Sequence, residues 1–452
     1  MQLTTPYTFR EVSRMLGGRL TVGYTPHIDA VSTDSRSLEK GAMFVALPGS
    51  SCDGSRYLSQ AEHAGASCAV VSVGHFHEAE ATCHLPLIVV DDTLQALQRF
   101  SHAHLAQFSD VIYAGVTGSC GKSTTKEALA AILSKKGKTA KTPGNLNSEI
   151  GLPLSVLSVD KDTRYGVFEM GVDHVGEMAH MLNVVSPDVA ILTNIGISHL
   201  EKFKTQQAIA HEKGSIFHPG LKAGFIAGGS PFLSQIQQEN HVILREYQAA
   251  SFKASCCGLS GWDLSIGERT CHVNAVGEHL LTDIAGAVAA ARFLGADEET
   301  ICEGLSGFTP MTGRSTVLSG KVTIIEDCYN ASLDSTRSIL DCISSISWNG
   351  NKKVVLGPMK ELGEASRNAH EEVARRILRS DIRSTFLYGQ EMYDAYKVLK
   401  DNDWNGELSF TEDFSKLSDE VSASVRQGDL FLVKGSRAAT MERLIPLIRA
   451  IG

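Results

Sequence analysis

This sequence predicts an α/β protein of more than one domain, and three observations support that class. Short apolar runs alternate with helix-like stretches along most of the chain, the pattern of parallel sheets joined by helical crossovers. One of these runs, 111–116, breaks into the turn Thr117-Gly118-Ser119-Cys120-Gly121 and restarts as a helix at Lys122-Ser123-Thr124-Thr125. The 452 residues exceed what one hydrophobic core organises.

The elements follow in order. Residues 1–105 hold a strand at 45–47 before the Pro48-Gly49 turn, a helix near 58–64 and a strand at 69–73. The glycine turn opens only at 117, so this first part reads as a separate small α/β unit. Residues 106–311 start with the strand 111–116 and the helix behind the turn. In that helix Ala128, Leu129, Ile132 and Leu133 recur at helical spacing, Lys135 and Lys136 close the last turn, and Gly137 stops it. Strands at 165–170 and 189–193 flank a helix near 177–184, which predicts a mostly parallel sheet. A helical run over 282–306 ends before Thr312-Gly313-Arg314. Residues 312–452 then carry buried strands at 322–326, 354–356, 385–388 and 430–433 separated by helices, which predicts a second, doubly wound sheet.

Composition excludes several classes. The apolar fraction of 43% is ordinary, and no apolar run is long enough to span a bilayer. Met1 to Tyr7 lacks the basic start and apolar core of a secretion signal. Ten cysteines are scattered with no C-x-x-C pair, so reduced thiols in a cytoplasm are expected. With a net charge of −9 and only short basic clusters, the chain offers no nucleic-acid face. A monomer without membrane insertion is expected.

The turn at 117–121 carries the chemistry. A strand feeding a glycine loop and a helix start aims backbone N–H groups at one spot, which suits a polyphosphate. Lys122 reaches the β- and γ-phosphates of such a ligand, and the Ser123 hydroxyl can ligate Mg²⁺. Val116 stands where a full P-loop has its first glycine, so the string alone also reads as a plain Gly/Ser turn. Glu169 ends the strand 165–170, and Asn194 and His199 follow the strand 189–193. If these strands neighbour 111–116, Lys122, Ser123, Glu169 and His199 share one crevice beyond the strand ends. Taken singly, Glu169 also reads as a lysine's partner and His199 as a capping or surface histidine.

At this point the chain resembles the Mur ligases of peptidoglycan synthesis. The resemblance runs through Ser32-Thr33-Asp34-Ser35-Arg36, Ala46-Leu47-Pro48-Gly49 to Asp53-Gly54, and the shortened phosphate loop Thr117 to Thr125. It continues through Gly144-Asn145-Leu146-Asn147, Glu169-Met170-Gly171, Thr193-Asn194-Ile195-Gly196 with His199, and Ala210 to Gly214 around Lys213. Gly313-Arg314, Asp327-Cys328-Tyr329-Asn330-Ala331, Leu362-Gly363-Glu364 and Val433-Lys434-Gly435-Ser436-Arg437 follow in the family's order.

The resemblance implies a uridine-nucleotide domain at 1–105, a P-loop ATPase-like domain at 106–311 and a Rossmann-like domain at 312–452. It implies an ATP-dependent ligase that joins D-alanyl-D-alanine to a UDP-N-acetylmuramoyl-tripeptide through an acyl phosphate. Two Mg²⁺ ions are implied, held by Ser123, Glu169, His199 and a carbamylated Lys213. From spacing alone Lys213 reads as a surface lysine on a helix over 208–216. Nucleotide contacts are implied for Thr117, Gly118, Ser119, Cys120, Gly121, Lys122, Ser123, Thr124, Asn145, Asp283, Arg314, Asp327 and Asn330. Substrate contacts are implied for Ser35, Arg36, Gly49, Asp53, Asn147, Lys434, Ser436 and Arg437. Leu280 and Asp283 replace the family's usual asparagines, Pro358 its aspartate and Leu333 its proline. The alternatives are a sister ligase adding a diamino acid to the muramoyl-dipeptide and a folylpolyglutamate-synthase-like ligase. The Asp-Asn-Pro-Arg string of diaminopimelate-adding members is absent from this sequence.

Overall fold

The computed structural model describes residues 1–21, 27–49 and 52–451. Ser50 and Ser51, inside the stretch 46–54, lie outside the described residues. Three six-stranded sheets and one three-stranded sheet organise the described chain.

The first sheet contains β1 (Gln2–Thr8), β2 (Arg19–Leu20), β3 (His27–Ser32), β4 (Met43–Val45), β5 (Cys68–Ser72) and β6 (Leu87–Val90), in the order β1-β3-β4-β5-β6-β2. Its centre is parallel, and β1 and β2 close the two edges antiparallel. The expected strand at 45–47 runs instead over Met43–Val45, because Ala46 and Leu47 already turn toward Gly54, whose amide bonds the Leu47 carbonyl. The helix Thr93–Leu105, capped by Asp92, lays Ala96, Leu97 and Phe100 on one face of this sheet.

The second sheet is wholly parallel. It contains β7 (Ile112–Thr117), β8 (Thr139–Lys141), β9 (Tyr165–Glu169), β10 (Val189–Leu192), β11 (Ala223–Ala227) and β12 (Leu244–Tyr247), ordered β12-β11-β10-β7-β9-β8. The helix Lys122–Leu133 buries Ala128, Leu129, Ile132 and Leu133 against one face. Each of the three fully buried larger side chains, Leu129, Ile132 and Leu133, contributes roughly 1.5–3 kcal/mol. Met178, Met181, Ile209 and Phe217 fill the opposite face. The predicted helical run 282–306 is two helices, His279–Phe293 and Glu298–Ser306. Gly295 at φ +76° ends the first, and the Asp297 carboxylate caps the second at the Thr300 amide. Between β12 and these helices lies an antiparallel meander, β13 (Lys253–Cys256), β14 (Trp262–Ile266) and β15 (Arg269–Val273), which the alternating pattern did not predict.

The third six-stranded sheet, hereafter the third sheet, contains β16 (Thr316–Leu318), β17 (Thr323–Asp327), β18 (Lys352–Leu356), β19 (Ser384–Tyr388), β20 (Glu407–Thr411) and β21 (Leu430–Lys434), ordered β16-β17-β21-β18-β19-β20. Five strands are parallel and β16 is an antiparallel edge. Apolar clusters cover both faces, as a doubly wound sheet requires.

Candidate active site

Strand order in the second sheet decides where chemistry can occur. β7 lies between β10 and β9, with Val116 opposite Glu169 and Thr117 opposite Leu192. The chain fills one side of β7 with β8 and β9, then crosses to the other for β10 to β12. Ligands in open α/β sheets bind at such a switch point, beyond the carboxyl ends of the strands.

The loop after β7 is built from close backbone approaches. Gly118 has φ +143°, and a Cβ there would sit 1.9 Å from Thr193 Oγ1; at Gly121, φ +82°, it would sit 2.0 Å from Asp283 Oδ1. Only glycine fits either position. Asn194 braces the loop, its Oδ1 accepting from the Cys120 amide at 2.8 Å and its carbonyl from the Ser119 amide at 3.0 Å. The Thr193 hydroxyl donates to the Cys120 carbonyl. Gly121 makes no side-chain cap, so the first amides of the helix Lys122–Leu133 face the crevice without one.

Ser123 donates to Glu169 Oε2 at 2.6 Å, and Asn147 Nδ2 donates to Oε1 at 2.6 Å. Glu169 is fully buried. Burial works to raise its pKa, but the positive charges of Lys122 and Arg314 outweigh it and hold the carboxyl below its ordinary value. Lys122 Nζ donates to the Gly118 carbonyl at 2.8 Å, and burial lowers its pKa.

Beside this group stand His199 and Lys213. His199 has φ +61°, and its Nδ1 meets the Glu361 carboxylate of the third sheet's loop. Burial pushes the His199 imidazole down, which favours its neutral form. Lys213, in the helix Gln206–Gly214, is 1% exposed and therefore not a surface lysine. Its Nζ has one long contact, 3.4 Å to the Val172 carbonyl, and burial followed by Lys122 pushes its pKa down to about 7.

The third sheet faces this group across a cleft of about 550 Å³, within the range of small-molecule sites. The Arg314 guanidinium lies 4.0 Å over the Tyr329 ring, and its buried Nε has no partner among the described residues. Lys434 Nζ donates to Asp327 Oδ2 at 2.6 Å and to the Asn330 carbonyl at 3.1 Å. Cys120 Sγ and Ser332 Oγ, from opposite walls, are 3.0 Å apart.

The cleft thus gathers Ser119, Cys120, Gly121, Lys122, Thr124, Asn147, Glu169, His199, Asp283, Arg314, Asp327, Asn330 and Lys434. Ser123 lies just beneath it, bonded to Glu169. Thr117 and Gly118 form the buried root of the loop. Asp283 is pushed up to about 7 by burial. Asn145 is exposed and does not line the cleft, because its loop turns outward before Asn147 re-enters. Ser436 lies buried at the carboxyl end of β21, donating to the Pro358 carbonyl, and Arg437 pairs with Glu442 near the surface.

Ser35, Arg36, Gly49 and Asp53 belong to the first sheet's loops. Ser35 donates to Gln60 Oε1 at 3.0 Å, and Arg36 pairs with Asp34 at 2.7 Å. Asp53 caps a short turn at the Ser55 amide, and the Gly49 amide bonds the Cys52 carbonyl. Sequence reasoning missed Glu361, Tyr329 and Thr193 as individual contributors. Thr193 had a signal, since it directly follows a buried strand beside the loop. Glu361 had none, being 162 residues from His199.

Family models match three consecutive stretches: "Mur ligase family, catalytic domain" over 27–105, "Mur ligase middle domain" over 116–291 and "Mur ligase, glutamate ligase domain" over 313–437. The UDP-N-acetylmuramoyl-tripeptide–D-alanyl-D-alanine ligase of Treponema pallidum is 35% identical, over 93% of this chain and 94% of that protein. The enzyme of the same name from Bacillus subtilis is 32% identical, over 97% of each. Among solved structures, MurF from Acinetobacter baumannii superposes with a TM-score of 0.86 at 27% identity, covering all of both chains. MurF from Thermotoga maritima in complex with ADP superposes at 0.76 and 27% identity, over 93% of this chain and 97% of that one.

Proposed function

The chain belongs to the Mur ligase family, and from that premise we propose that it joins D-alanyl-D-alanine to UDP-N-acetylmuramoyl-tripeptide at the expense of ATP. The 2.6 Å contact between Ser123 and Glu169, beside Lys122 at an open helix N-terminus, carries this reading within the structure. It is the arrangement that holds a nucleoside triphosphate for phosphoryl transfer. We divide the chain into a uridine-nucleotide domain at 1–105, an ATP domain at 106–311 and a closing domain at 312–452.

Amide formation from a free carboxylate in water is uphill. The terminal carboxylate of the tripeptide attacks the γ-phosphorus, the bond to the bridging oxygen of ADP breaks, and an acyl phosphate forms. The dipeptide's neutral amine then attacks the acyl carbon, inorganic phosphate leaves and the amide nitrogen loses a proton. The protein's part is orientation and charge compensation. Lys122 and the loop amides grip the phosphates from one wall, and Arg314 reaches them from the other. Asp327 and Asn330 face the nucleoside, with Lys434 holding Asp327 in place. Ser35, Arg36, Gly49 and Asp53 bind the uridine nucleotide. Ser436 and Arg437 line the path of the dipeptide.

A hydroxyl and a carboxylate in mutual contact form the hard-oxygen donor set that Mg²⁺ takes. Ser123 and Glu169 would hold one such ion, and His199 with carbamylated Lys213 a second. Bound there, Mg²⁺ supplies positive charge to the transferring phosphoryl group. The depressed Lys213 supports carbamylation: a neutral Nζ can attack CO₂, forming the N–C bond and releasing a proton. Among the described residues no helix is long and apolar enough to cross a membrane. A monomer acting in the cytoplasm, where ATP and nucleotide-linked precursors meet, completes the reading.

The test is ADP release measured with each substrate omitted in turn. Sustained release that requires both the uridine-linked tripeptide and the dipeptide supports the ligase. Equal release with a dipeptide precursor and a diamino acid would point to the sister activity.

A further inference from the structure

Glu361 lies in none of the motifs that mark the site, yet it reaches into it. It follows β18 in the third sheet's loop and stands at φ +64°, a conformation costly for a residue with a side chain. His199, after β10 in the second sheet, is also left-handed, at φ +61°. The two loops are joined twice. The Glu361 carboxylate meets His199 Nδ1, and the Glu361 carbonyl accepts from the Glu201 amide at 3.2 Å. A Cβ built on Gly363 would lie 3.5 Å from Glu201, so the two backbones also run close together here. Two strained backbones from different sheets thus converge on one imidazole.

We propose that Glu361 is a positioning residue that fixes His199 as an Nδ1–H tautomer, leaving Nε2 as the ligand atom for the second metal ion. A carboxylate can only accept from Nδ1, so the proton is placed there and the Nε2 lone pair is freed; Nε2 makes no hydrogen bond among the described residues. Metal-ligating histidines are commonly oriented through the other ring nitrogen in this way. Because Glu361 belongs to the third sheet and His199 to the second, this ligand is correctly set only when the two walls of the cleft are together. Closure and completion of the metal site become one event. The proposal rests on His199 being a metal ligand, as read above.

The experiment uses Mn²⁺ as the probe, counted by electron paramagnetic resonance on the ADP-bound enzyme. Nitrogen-15 spectra of the histidine rings read the tautomer independently of turnover. Wild type is expected to take up two ions and to show His199 as the Nδ1–H form. Glu361→Gly, which suits the positive φ, is expected to weaken the second ion about 10- to 100-fold, leave the first unchanged and mix the tautomers. Glu361→Gln, whose amide oxygen still accepts from Nδ1, is expected to restore most of both signals. Unchanged second-ion affinity and tautomer in Glu361→Gly, with the second ion lost in His199→Ala, would overturn the positioning role while keeping the metal reading. Two ions retained in His199→Ala would instead overturn the metal reading beneath it.

Discussion

The Ser123 hydroxyl donates to the Glu169 carboxylate at 2.6 Å although 46 residues separate them. The contact exists because β7 and β9 are parallel neighbours that end together, so the helix after one strand opens beside the last residue of the other. Asn147, on the remaining carboxylate oxygen, fixes the orientation.

Lys122 is the first point at which this arrangement can be tested. Its side chain bonds only a loop carbonyl, so Lys122→Ala is expected to fold normally. Turnover at saturating ATP is expected to fall by about 10²-fold or more, since one charge aimed at the transferring group is lost. Steady-state kinetics with a thermal melt check both halves, and near-normal turnover would contradict the phosphate-clamp role.

Gly121 tests the loop itself. A Cβ there would sit 2.0 Å from the Asp283 carboxyl, and its φ of +82° disfavours any side chain. Gly121→Ala is expected to weaken ADP binding by an order of magnitude or more, measured by calorimetry. The far-ultraviolet spectrum is expected to stay as in wild type, because the loop caps a helix whose own packing is untouched.

Arg36 separates the nucleotide sites. It stands on the first sheet, mostly exposed and paired with Asp34. Arg36→Ala is expected to raise the KM for the uridine-linked substrate several-fold and leave the KM for ATP within error. The opposite split would mean that the first sheet serves ATP.

Lys213 tests the carbamate. Lys213→Ala is expected to lose most activity and to regain part of it with formate or acetate, which fill the vacated anion position. Wild type is expected to gain nothing from the same salt, excluding an ionic-strength effect. A second readout is stability. A lysine held neutral in the fold but protonated when unfolded makes the fold gain stability as pH rises from about 7 toward the ordinary lysine value. Without bicarbonate, Lys213→Met is therefore expected to be stabilising, most strongly at and below pH 7, and to flatten that rise in denaturant titrations.

The central strands were legible because buried parallel strands are continuous apolar runs, and the runs at 111–116, 165–170 and 189–193 match β7, β9 and β10 within a residue or two. Their adjacency, which brings Glu169 to Ser123, was a conditional expectation that strand order resolved. Other parts leave weaker traces. In the meander, β14 and β15 carry a buried residue at every second position over only their last three residues, and β13 is exposed throughout. The break in the run 282–306 hangs on Gly295 and the Asp297 cap rather than on any loss of helical periodicity. The burial of Lys213 is set by the helix and strands around it, and no local pattern distinguishes it from a solvated lysine. Glu361 is reached only by folding two sheets against each other.

The most direct measurement follows the oxygen atoms of the reaction. UDP-N-acetylmuramoyl-tripeptide labelled with ¹⁸O in its terminal carboxylate is incubated with ATP, Mg²⁺ and D-alanyl-D-alanine, and the released phosphate and the peptide product are weighed by mass spectrometry. Activation as an acyl phosphate requires one ¹⁸O to leave with each phosphate while the pentapeptide accumulates in equal amount. Unlabelled phosphate, or ADP formed without pentapeptide, would contradict it.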